Sequence, residues 1–264
     1  MPFDSSTGSE SGRTDRLFGL SKDARMSEAL FNPRPRIDTV RLTNGKLCHV
    51  IDDALVAPER VRAQACARRN DFHDVDFNAY PGTYLIAPKE MQQALHDFFV
   101  THIRRRFDAR RMLDMHCRWS MVTLPPERLS PRQRLCHRDS VNVPAAQSIQ
   151  ASVLYLFEDA SLGGTSFYEP ARSEREVAVL FHEASALPSD AFERKYAIGA
   201  RYMTQSNRWF RQIGNVPARW NRLIFYDGSI LHTGDIAAPE KLSDDPAKGR
   251  LTLNGFFTCR RNAV

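Results

Sequence analysis

The sequence lacks the features of a membrane, secreted or disulfide-bonded protein. It has no run of about 18 apolar residues, the length that a membrane-spanning helix needs. Its amino-terminal segment, MPFDSSTGSESGRTDR, has neither the basic start nor the apolar stretch of a secretory signal. It also has no CxxC pair, and an odd number of scattered cysteines is typical of reduced thiols. We therefore expect a soluble, cytoplasmic protein without disulfides. The cysteines are Cys48, Cys66, Cys117, Cys136 and Cys259.

Lysine is scarce, because arginine supplies 31 of the 37 basic residues in a chain with a net charge of +6. A guanidinium binds phosphate or carboxylate through two parallel hydrogen bonds, so this excess permits an anionic ligand or a nucleic acid. The densest cluster, Arg104–Arg106 with Arg110 and Arg111, is explained equally well as a solvated helix end. No cluster of aromatic residues accompanies the basic ones, so we do not expect a nucleic-acid partner.

The chain divides into a short polar start and one domain. Residues 1–35 are rich in Ser, Gly, Asp and Arg and predict a flexible tail, and residues 36–264 predict a single domain. A strand ending at Asp52 precedes a helix that begins near Pro58, and a second helix is predicted from Pro88 to about Phe107. These two helices should pack on one side of a sheet.

Short β-type runs follow from about Met112, separated by Pro and Gly turns. They predict an α+β protein with a mostly β core, built as an antiparallel sandwich or barrel. Between about residues 171 and 215 the pattern is helical and predicts an insertion over one face of the sandwich. The predicted strands are MHCRWSMVTL, SIQASVLYLF, TSFYE, RLIFYDG, SILHTG and RLTLNGFFTC.

A His-x-Asp motif and a distant histidine are the candidate metal ligands. His137 and Asp139 would project to the same face of an extended backbone, because side chains alternate along a strand. A His-x-acid pair is common by chance, so the motif alone proves nothing. His232 lies in a later β-type segment, and two histidines with one carboxylate form the facial triad that holds Fe(II) with open coordination positions. Taken alone, His232 is explained equally well as a core histidine.

Arg250 and Tyr155 add an anion-binding element. Arg250 opens the strand RLTLNGFF, with Thr252 and Asn254 on the same face. An arginine directed into the mouth of a β-barrel is costly unless an anion pairs with it, and a dicarboxylate would supply that anion. A buried Tyr155 hydroxyl would need a partner, which the same carboxylate could be.

These pieces, in this order, resemble the Fe(II) and 2-oxoglutarate dependent dioxygenases, in particular the branch similar to prolyl 4-hydroxylases. The upstream segment VIDDALVAPERV is similar to the entry strand and helix of that branch, and Gly163 and Gly164 match its paired turn glycines. The resemblance covers roughly Leu47 to Cys259. The matching segments are HRD at 137–139, LYLFEDASLGGTSFY at 154–168, RLIFYDGSILHTG at 222–234 and GRLTLNGFF at 249–257.

The resemblance implies a double-stranded β-helix, also called a jelly roll or cupin-like fold, with amino-terminal flanking helices and the helical insertion. It implies that His137, Asp139 and His232 bind Fe(II), with O2 as the second substrate. Arg250 would bind the distal carboxylate of 2-oxoglutarate, with Tyr155 and Thr252 beside it.

The departures from the family pattern leave two questions open. The distance in sequence from His232 to Arg250 is longer than the pattern expects, which makes Lys241 a rival anchor. The insertion is either a lid or additional packing.

The implied activity is oxidation of an unactivated C–H bond, most simply hydroxylation, in a small molecule, amino acid or peptide, with release of succinate and CO2. One alternative is a jelly-roll protein that binds without turnover. Another is a nucleic-acid demethylase of the same superfamily, although RLTLNGFFTCRR does not match the arginine pattern of those enzymes. Two weaker candidate sites are His182 with Glu183, where HEASA lacks the second histidine of a zinc-protease helix, and the polar group His73, Asp74 and Asp76.

Overall fold

The protein is mostly β, with a large antiparallel sheet, a second smaller sheet and four α-helices in the part of the chain described here. A computed structural model describes residues 29–74, 80–139 and 143–262. The strands are β1 (Asp38–Arg41), β2 (Leu47–Ile51), β3 (His73–Asp74), β4 (Gly82–Ile86), β5 (Arg111–Val122), β6 (Gln147–Tyr155), β7 (Thr165–Pro170), β8 (Phe210–Val216), β9 (Leu223–Asp227), β10 (Leu231–Gly234) and β11 (Arg250–Arg260). The helices are α1 (Pro58–Ala67), α2 (Lys89–Phe98), α3 (Glu174–Ala186) and α4 (Ser189–Tyr196).

The large sheet has eight strands in the order β1-β2-β9-β6-β11-β5-β4-β3, and every neighbouring pair is antiparallel. Its centre is β11, which pairs along its length with β5 and β6. The second sheet has the order β10-β7-β8 and is also antiparallel. The chain therefore passes back and forth between the two sheets. Strands β6, β9 and β11 are in the large sheet, and β7, β8 and β10 are in the small one.

Alternation along the central strands gives the large sheet two different faces. Leu251 and Leu253 of β11 join Trp119 of β5 in an apolar cluster that also contains Met91 and Leu95 of α2. Side chains at the intervening positions of β5 and β11 face the second sheet. Helices α1 and α2 therefore cover the outer face, as predicted, and the inner face is left for a second core and a cavity.

Helices α3 and α4 cover the outer face of the small sheet. Leu180 of α3 and Phe192 of α4 are fully buried in a cluster with Tyr168 of β7 and Phe210 of β8. Helix α3 begins with a capping box, in which Ser173 accepts from the Glu176 backbone N–H and the Glu176 carboxylate accepts from the Ser173 backbone N–H.

Two boundaries differ from the sequence prediction. The helical part of residues 171–215 ends at Tyr196, and residues 210–216 form β8 because they pair with β7. Within the predicted tail, residues 1–28 lie outside the described residues, whereas Phe31 is buried with its ring centroid 5.1 Å from that of Phe98. An apolar ring that reaches the core surface holds this part of the segment against α2.

The second predicted helix also changes form before its end. It is α-helical as α2, continues as a π-helical turn over Phe99–Ile103 and closes with a 3-10 turn over Arg104–Arg106. None of the described helices is both long and apolar enough to span a membrane.

Candidate active site

A backbone bridge joins the two candidate histidine ligands. His137 donates its backbone N–H to the carbonyl of His232, and His232 donates back to the carbonyl of His137, both at 2.9 Å. His232 is in β10, and the bridge adds one residue, His137, to the small sheet beside that strand. The two side chains leave this pair on the same side, with ring centroids 4.4 Å apart.

Asp139 completes a cluster of three ligand atoms. Its backbone N–H donates to the Gly228 carbonyl at 2.8 Å, which fixes the segment after His137 against the turn before β10. One carboxylate oxygen is 3.4 Å from Nε2 of His232 and the other is 3.7 Å from Nε2 of His137. The ligand atoms of all three residues lie within 4.8 Å of one another.

The protonation of this cluster suits a divalent metal ion. Nδ1 of His232 must be the protonated nitrogen, because it lies 2.9 Å from the Ile230 carbonyl, which only accepts. Nε2 therefore presents its lone pair to the cluster. Burial lowers the pKa of His232 to about 4 and raises the pKa of Asp139 to about 6. At neutral pH the site thus holds neutral imidazoles and an ionised carboxylate.

The buried carboxylate is also incompletely satisfied. Oδ2 of Asp139 is buried and accepts no hydrogen bond from a described residue. The side chain of His137 is half exposed, and its partial desolvation in the cavity, together with the neighbouring His232, lowers its pKa. Two imidazole nitrogens and one such oxygen are a donor set that fits Fe(II) and other first-row divalent ions.

Arg250 is buried and held from behind by backbone carbonyls. Its Nε donates to the carbonyls of Leu162 and Gly163, at 3.0 and 3.1 Å, and its Nη2 donates to Gly164 at 2.9 Å. Within the described part of the chain no carboxylate forms an ion pair with it. A buried guanidinium without a counter-ion fits an anionic ligand.

One cavity connects these groups. It has a volume of about 770 Å³ between the two sheets, and its wall includes the three candidate metal ligands and Arg250. Arg250, Thr252 and Asn254 of β11 contribute its floor. Other polar residues on its wall are Tyr80, Tyr84, Gln92, His116, Arg118, Arg132, Gln133, Arg138, Ser152, Thr165, Tyr202, Tyr226, Thr233, Thr252, Asn254 and Thr258.

The remaining predicted ligand-binding residues lie in different places. Thr252 lines the cavity and donates to the Ser120 carbonyl at 3.3 Å. Tyr155 is fully buried, and its hydroxyl is 2.8 Å from Thr165 Oγ1, so Thr165 stands between this tyrosine and the cavity. Lys241 is half exposed, outside the cavity, and donates to Asp159 and Ser161.

Among the described residues, the weaker candidates do not form a metal ligand set. Glu183 accepts hydrogen bonds from Lys195 and Tyr196, which accounts for its carboxylate. His73 packs against the ring of Tyr84 and Asp74 is exposed, while Asp76 lies outside the described residues.

Tyr226 and Arg118 are among the cavity residues that the sequence patterns did not indicate. Tyr226 of β9 packs edge-on against His232, with ring centroids 4.7 Å apart. Arg118 of β5 faces the cavity between the rings of Tyr84 and Phe256. The alternation of β5 was available as a signal, because His116, Arg118 and Ser120 are polar and Cys117, Trp119 and Met121 are apolar.

Together these features define a two-sheet β protein with a candidate His-Asp-His metal cluster and an unpaired buried arginine in one cavity. The chain belongs to the family described as a family of unknown function, DUF6445, which matches residues 33–257. Comparison with curated protein sequences finds no match.

Several solved structures resemble this fold at low sequence identity. The non-heme alpha ketoglutarate dependent carbocyclase SnoK from nogalamycin biosynthesis is 13% identical with a TM-score of 0.47, and the match covers 83% of this chain and 82% of that one. The epimerase SnoN in complex with Fe3+, alpha ketoglutarate and nogalamycin RO is 12% identical, with a TM-score of 0.42 over 84% and 82% of the chains.

A third structure is EvdO2 from Micromonospora carbonacea var. aurantiaca, complexed with 2-oxoglutarate. It is 9% identical, with a TM-score of 0.39 over 88% of this chain and 96% of that one. All three TM-scores are below 0.5, so none of these resemblances carries an inference about the function of this chain.

Proposed function

We propose that the protein is an Fe(II)/2-oxoglutarate-dependent dioxygenase. It oxidises, most simply hydroxylates, an unactivated C–H bond of a small molecule, amino acid or peptide and releases succinate and CO2. The observation that carries the proposal is the convergence of two complementary groups on one cavity. These groups are a His-Asp-His cluster with ligand atoms within 4.8 Å of one another and a buried arginine without a carboxylate partner among the described residues.

In this proposal His137, Asp139 and His232 hold Fe(II) through the two Nε2 atoms and a carboxylate oxygen. When bound, Fe(II), 2-oxoglutarate and O2 supply an oxidant able to break an unactivated C–H bond. The Ile230 carbonyl keeps the proton of His232 on Nδ1, which leaves Nε2 as the donor atom.

Arg250 binds the distal carboxylate of 2-oxoglutarate in this proposal. Three backbone carbonyls already orient its guanidinium, so its position does not depend on the ligand. Thr252, two residues further along β11, faces the same cavity. Tyr155 acts through Thr165, to which its hydroxyl is hydrogen-bonded. Lys241 is the weaker candidate, because Asp159 and Ser161 already satisfy it outside the cavity.

We also propose that residues 36–264 form one domain of the double-stranded β-helix type. The supporting observation is the strand order. The core of the large sheet is β5-β11-β6-β9, and the facing small sheet is β10-β7-β8, with His137 bridged to β10. From β6 to β11 the chain crosses between the two sheets at every connection except the one between β7 and β8, which pair with each other in the small sheet.

The test of the proposed function is anaerobic titration of the protein with Fe(II) and 2-oxoglutarate. We expect a weak metal-to-ligand charge-transfer band in the visible spectrum, which His137→Ala abolishes. In air, the same components should release succinate slowly without a primary substrate. A band without succinate release in any substrate screen favours a binding protein, and absence of the band in the wild type contradicts the metal assignment.

The anchor is tested by comparing Arg250→Leu with Lys241→Ala in the uncoupled succinate assay. Arg250→Leu should reduce succinate formation sharply by weakening 2-oxoglutarate binding, and the loss should be partly relieved at high cosubstrate concentration. Lys241→Ala should behave as the wild type. The reverse pattern would transfer the anchoring role to Lys241.

A further inference from the structure

Arg118 is a cavity guanidinium with no acceptor among the residues that the structure describes. It lies on β5, opposite Asn254 of β11, and is partly buried. Its guanidinium carbon is 5.3 Å from the ring centroid of Tyr84 and 4.8 Å from that of Phe256. Across residues 29–74, 80–139 and 143–262, these ring contacts are its side-chain interactions, and it makes neither an ion pair nor a side-chain hydrogen bond. By contrast, Arg62, which is stacked over Trp220, pairs with an acid, Glu158.

The charge of the cavity remains positive after the proposed cosubstrate and metal are counted. Its described wall contains four arginines, Arg118, Arg132, Arg138 and Arg250, and one carboxylate, Asp139. The two charges of Fe(II) and the charge of Arg250 balance Asp139 and the two carboxylates of 2-oxoglutarate. Arg118 is then left without a counter-ion, in a cavity where an unpaired charge is costly.

Arg118 lines the same cavity as His137 and Asp139. Arg250 is on β11, opposite Val122 of β5, whereas Arg118 is on β5, opposite Asn254 of β11. The two guanidiniums therefore occupy separate positions along the cavity.

The stacking restricts how a ligand reaches Arg118. Rings of Tyr84 and Phe256 lie near the guanidinium and favour approach of an anion to its N–H edge. Two N–H groups on that edge match the two oxygens of a carboxylate, which is the bidentate contact that lysine cannot make. Aromatic walls beside the charge also favour a ligand with an apolar body.

We propose that the primary substrate is an organic acid whose carboxylate is bound by Arg118. This inference rests on the proposed function and specifies its substrate class. The oxidised C–H bond lies on the part of the acid that reaches from Arg118 towards the His-Asp-His cluster. Arg132 and Arg138 are exposed at the cavity and raise the local concentration of anions, without selecting among them.

The experiment is a 19F NMR titration of the full-length protein with 4-fluorobenzoate and, as the uncharged match, 4-fluorobenzamide. Zn(II) and saturating 2-oxoglutarate are present, so that Arg250 is occupied and no turnover occurs. The acid should bind the wild type more tightly than the amide. Arg118→Gln should weaken the acid by about tenfold or more, the loss expected for a charge-assisted pair, and leave the amide unchanged.

Two variants serve as controls for fold and for guanidinium geometry. Arg62→Gln removes an arginine that is also stacked on an aromatic ring but lies outside the cavity, and it should bind the acid as the wild type does. Arg118→Lys keeps the charge and the aliphatic stem, so it should retain a preference for the acid with intermediate affinity. If Arg118→Gln does not fold, the wild type and Arg118→Lys still test the proposal.

The titration is repeated without Zn(II) and 2-oxoglutarate, in the wild type, in Arg118→Gln and in Arg250→Leu. If acid binding depends on Arg118 in this arm, the inference holds even when the metal and cosubstrate do not bind. The arm therefore separates the failure of this inference from the failure of the proposed function. Equal binding of acid and amide, or no acid binding to the wild type, overturns the inference. A loss of 2-oxoglutarate affinity in Arg118→Gln, with acid binding unchanged, also overturns it by assigning Arg118 to the cosubstrate.

Discussion

Arg250 illustrates how a single side chain depends on a turn distant in sequence. The carbonyls of Leu162, Gly163 and Gly164 all accept from its guanidinium, so the paired glycines do more than allow a tight turn between β6 and β7. Gly163 has φ of 87° and ψ of 145°, a conformation that is essentially restricted to glycine. A side chain there would also overlap the Asp235 carbonyl.

Gly163→Ala should therefore reduce both stability and cosubstrate binding. The matched control is Gly45→Ala, since Gly45 also has a positive φ, 82°, but open space around it. The control should lose about 1–2 kcal/mol, the cost of a left-handed conformation for a residue with a Cβ. Gly163→Ala should lose clearly more in urea unfolding and should bind 2-oxoglutarate more weakly. Equal losses in the two variants would contradict the role of the carbonyl overlap.

At this scale the sequence predicted which chemistry-bearing residues approach one another better than it predicted their hydrogen bonds. His137, Asp139 and His232 come together, and Arg250 faces the same cavity as Thr252. The partner of Tyr155 could not be predicted, because Thr165 reaches it only through the packing of one sheet on the other. Alternation along β5 identifies a strand, but it does not by itself show that the face with Arg118 lines a cavity.

At the scale of elements, α3 and α4 are packing elements of the small sheet. Their buried residues contact β7, β8 and β10, and none of the residues of these two helices is on the described cavity wall. Of the two interpretations of the helical insertion, this arrangement favours additional packing over a lid. The loop after α4 is different, because Tyr202 reaches the cavity and donates to the Leu124 carbonyl at 2.6 Å.

Leu180→Ala and Val179→Ala test that interpretation with neighbouring residues of α3. Leu180 is fully buried, so its truncation should lower the free energy of unfolding by about 2–5 kcal/mol. Val179 is 45% exposed, and its truncation should change stability by less than about 0.5 kcal/mol. Denaturant unfolding measures both. Loss of substrate turnover in Leu180→Ala at temperatures where it is fully folded, with uncoupled succinate release intact, would instead favour a lid.

The elements that the sequence predicted are those with long, regular patterns. Each of the six predicted strand segments contains a strand, because apolar residues alternate with residues facing the second core or the cavity. Strand β8 was missed because FRQIGNV follows a run of aromatic residues with helical spacing. Strands β1, β3 and β4 lie at or near the edges of the large sheet, where partly exposed side chains weaken the apolar signal.

At the scale of the whole molecule, the proposed ligands would join the two sheets. His232 belongs to the small sheet and His137 is bridged to it, whereas Arg250 and Thr252 belong to β11 at the centre of the large sheet. A metal with 2-oxoglutarate would therefore make contacts with both sheets at once. Binding of this kind stabilises the folded state by mass action, because the unfolded chain lacks the site.

Adding Mn(II) and 2-oxoglutarate, each at about 100 times its dissociation constant, should stabilise the folded state by about 5.4 kcal/mol, about 2.7 kcal/mol from each ligand, and raise the Tm by about 10–20 °C. EDTA should return the Tm to its starting value. His232→Ala should have its own, lower Tm and show no increase on addition of the ligands. Differential scanning fluorimetry measures all three. An increase that persists in His232→Ala would place the metal elsewhere.

The backbone bridge between His137 and His232 has a consequence for redesign of this centre. Main-chain hydrogen bonds, which any residue except proline can form, set the distance between the two ligand positions. The spacing of the pair is thus independent of the imidazoles that now occupy it. Glutamate or cysteine introduced at either position would inherit the same separation, which makes the bridge a fixed frame for installing coordination chemistries other than the native one.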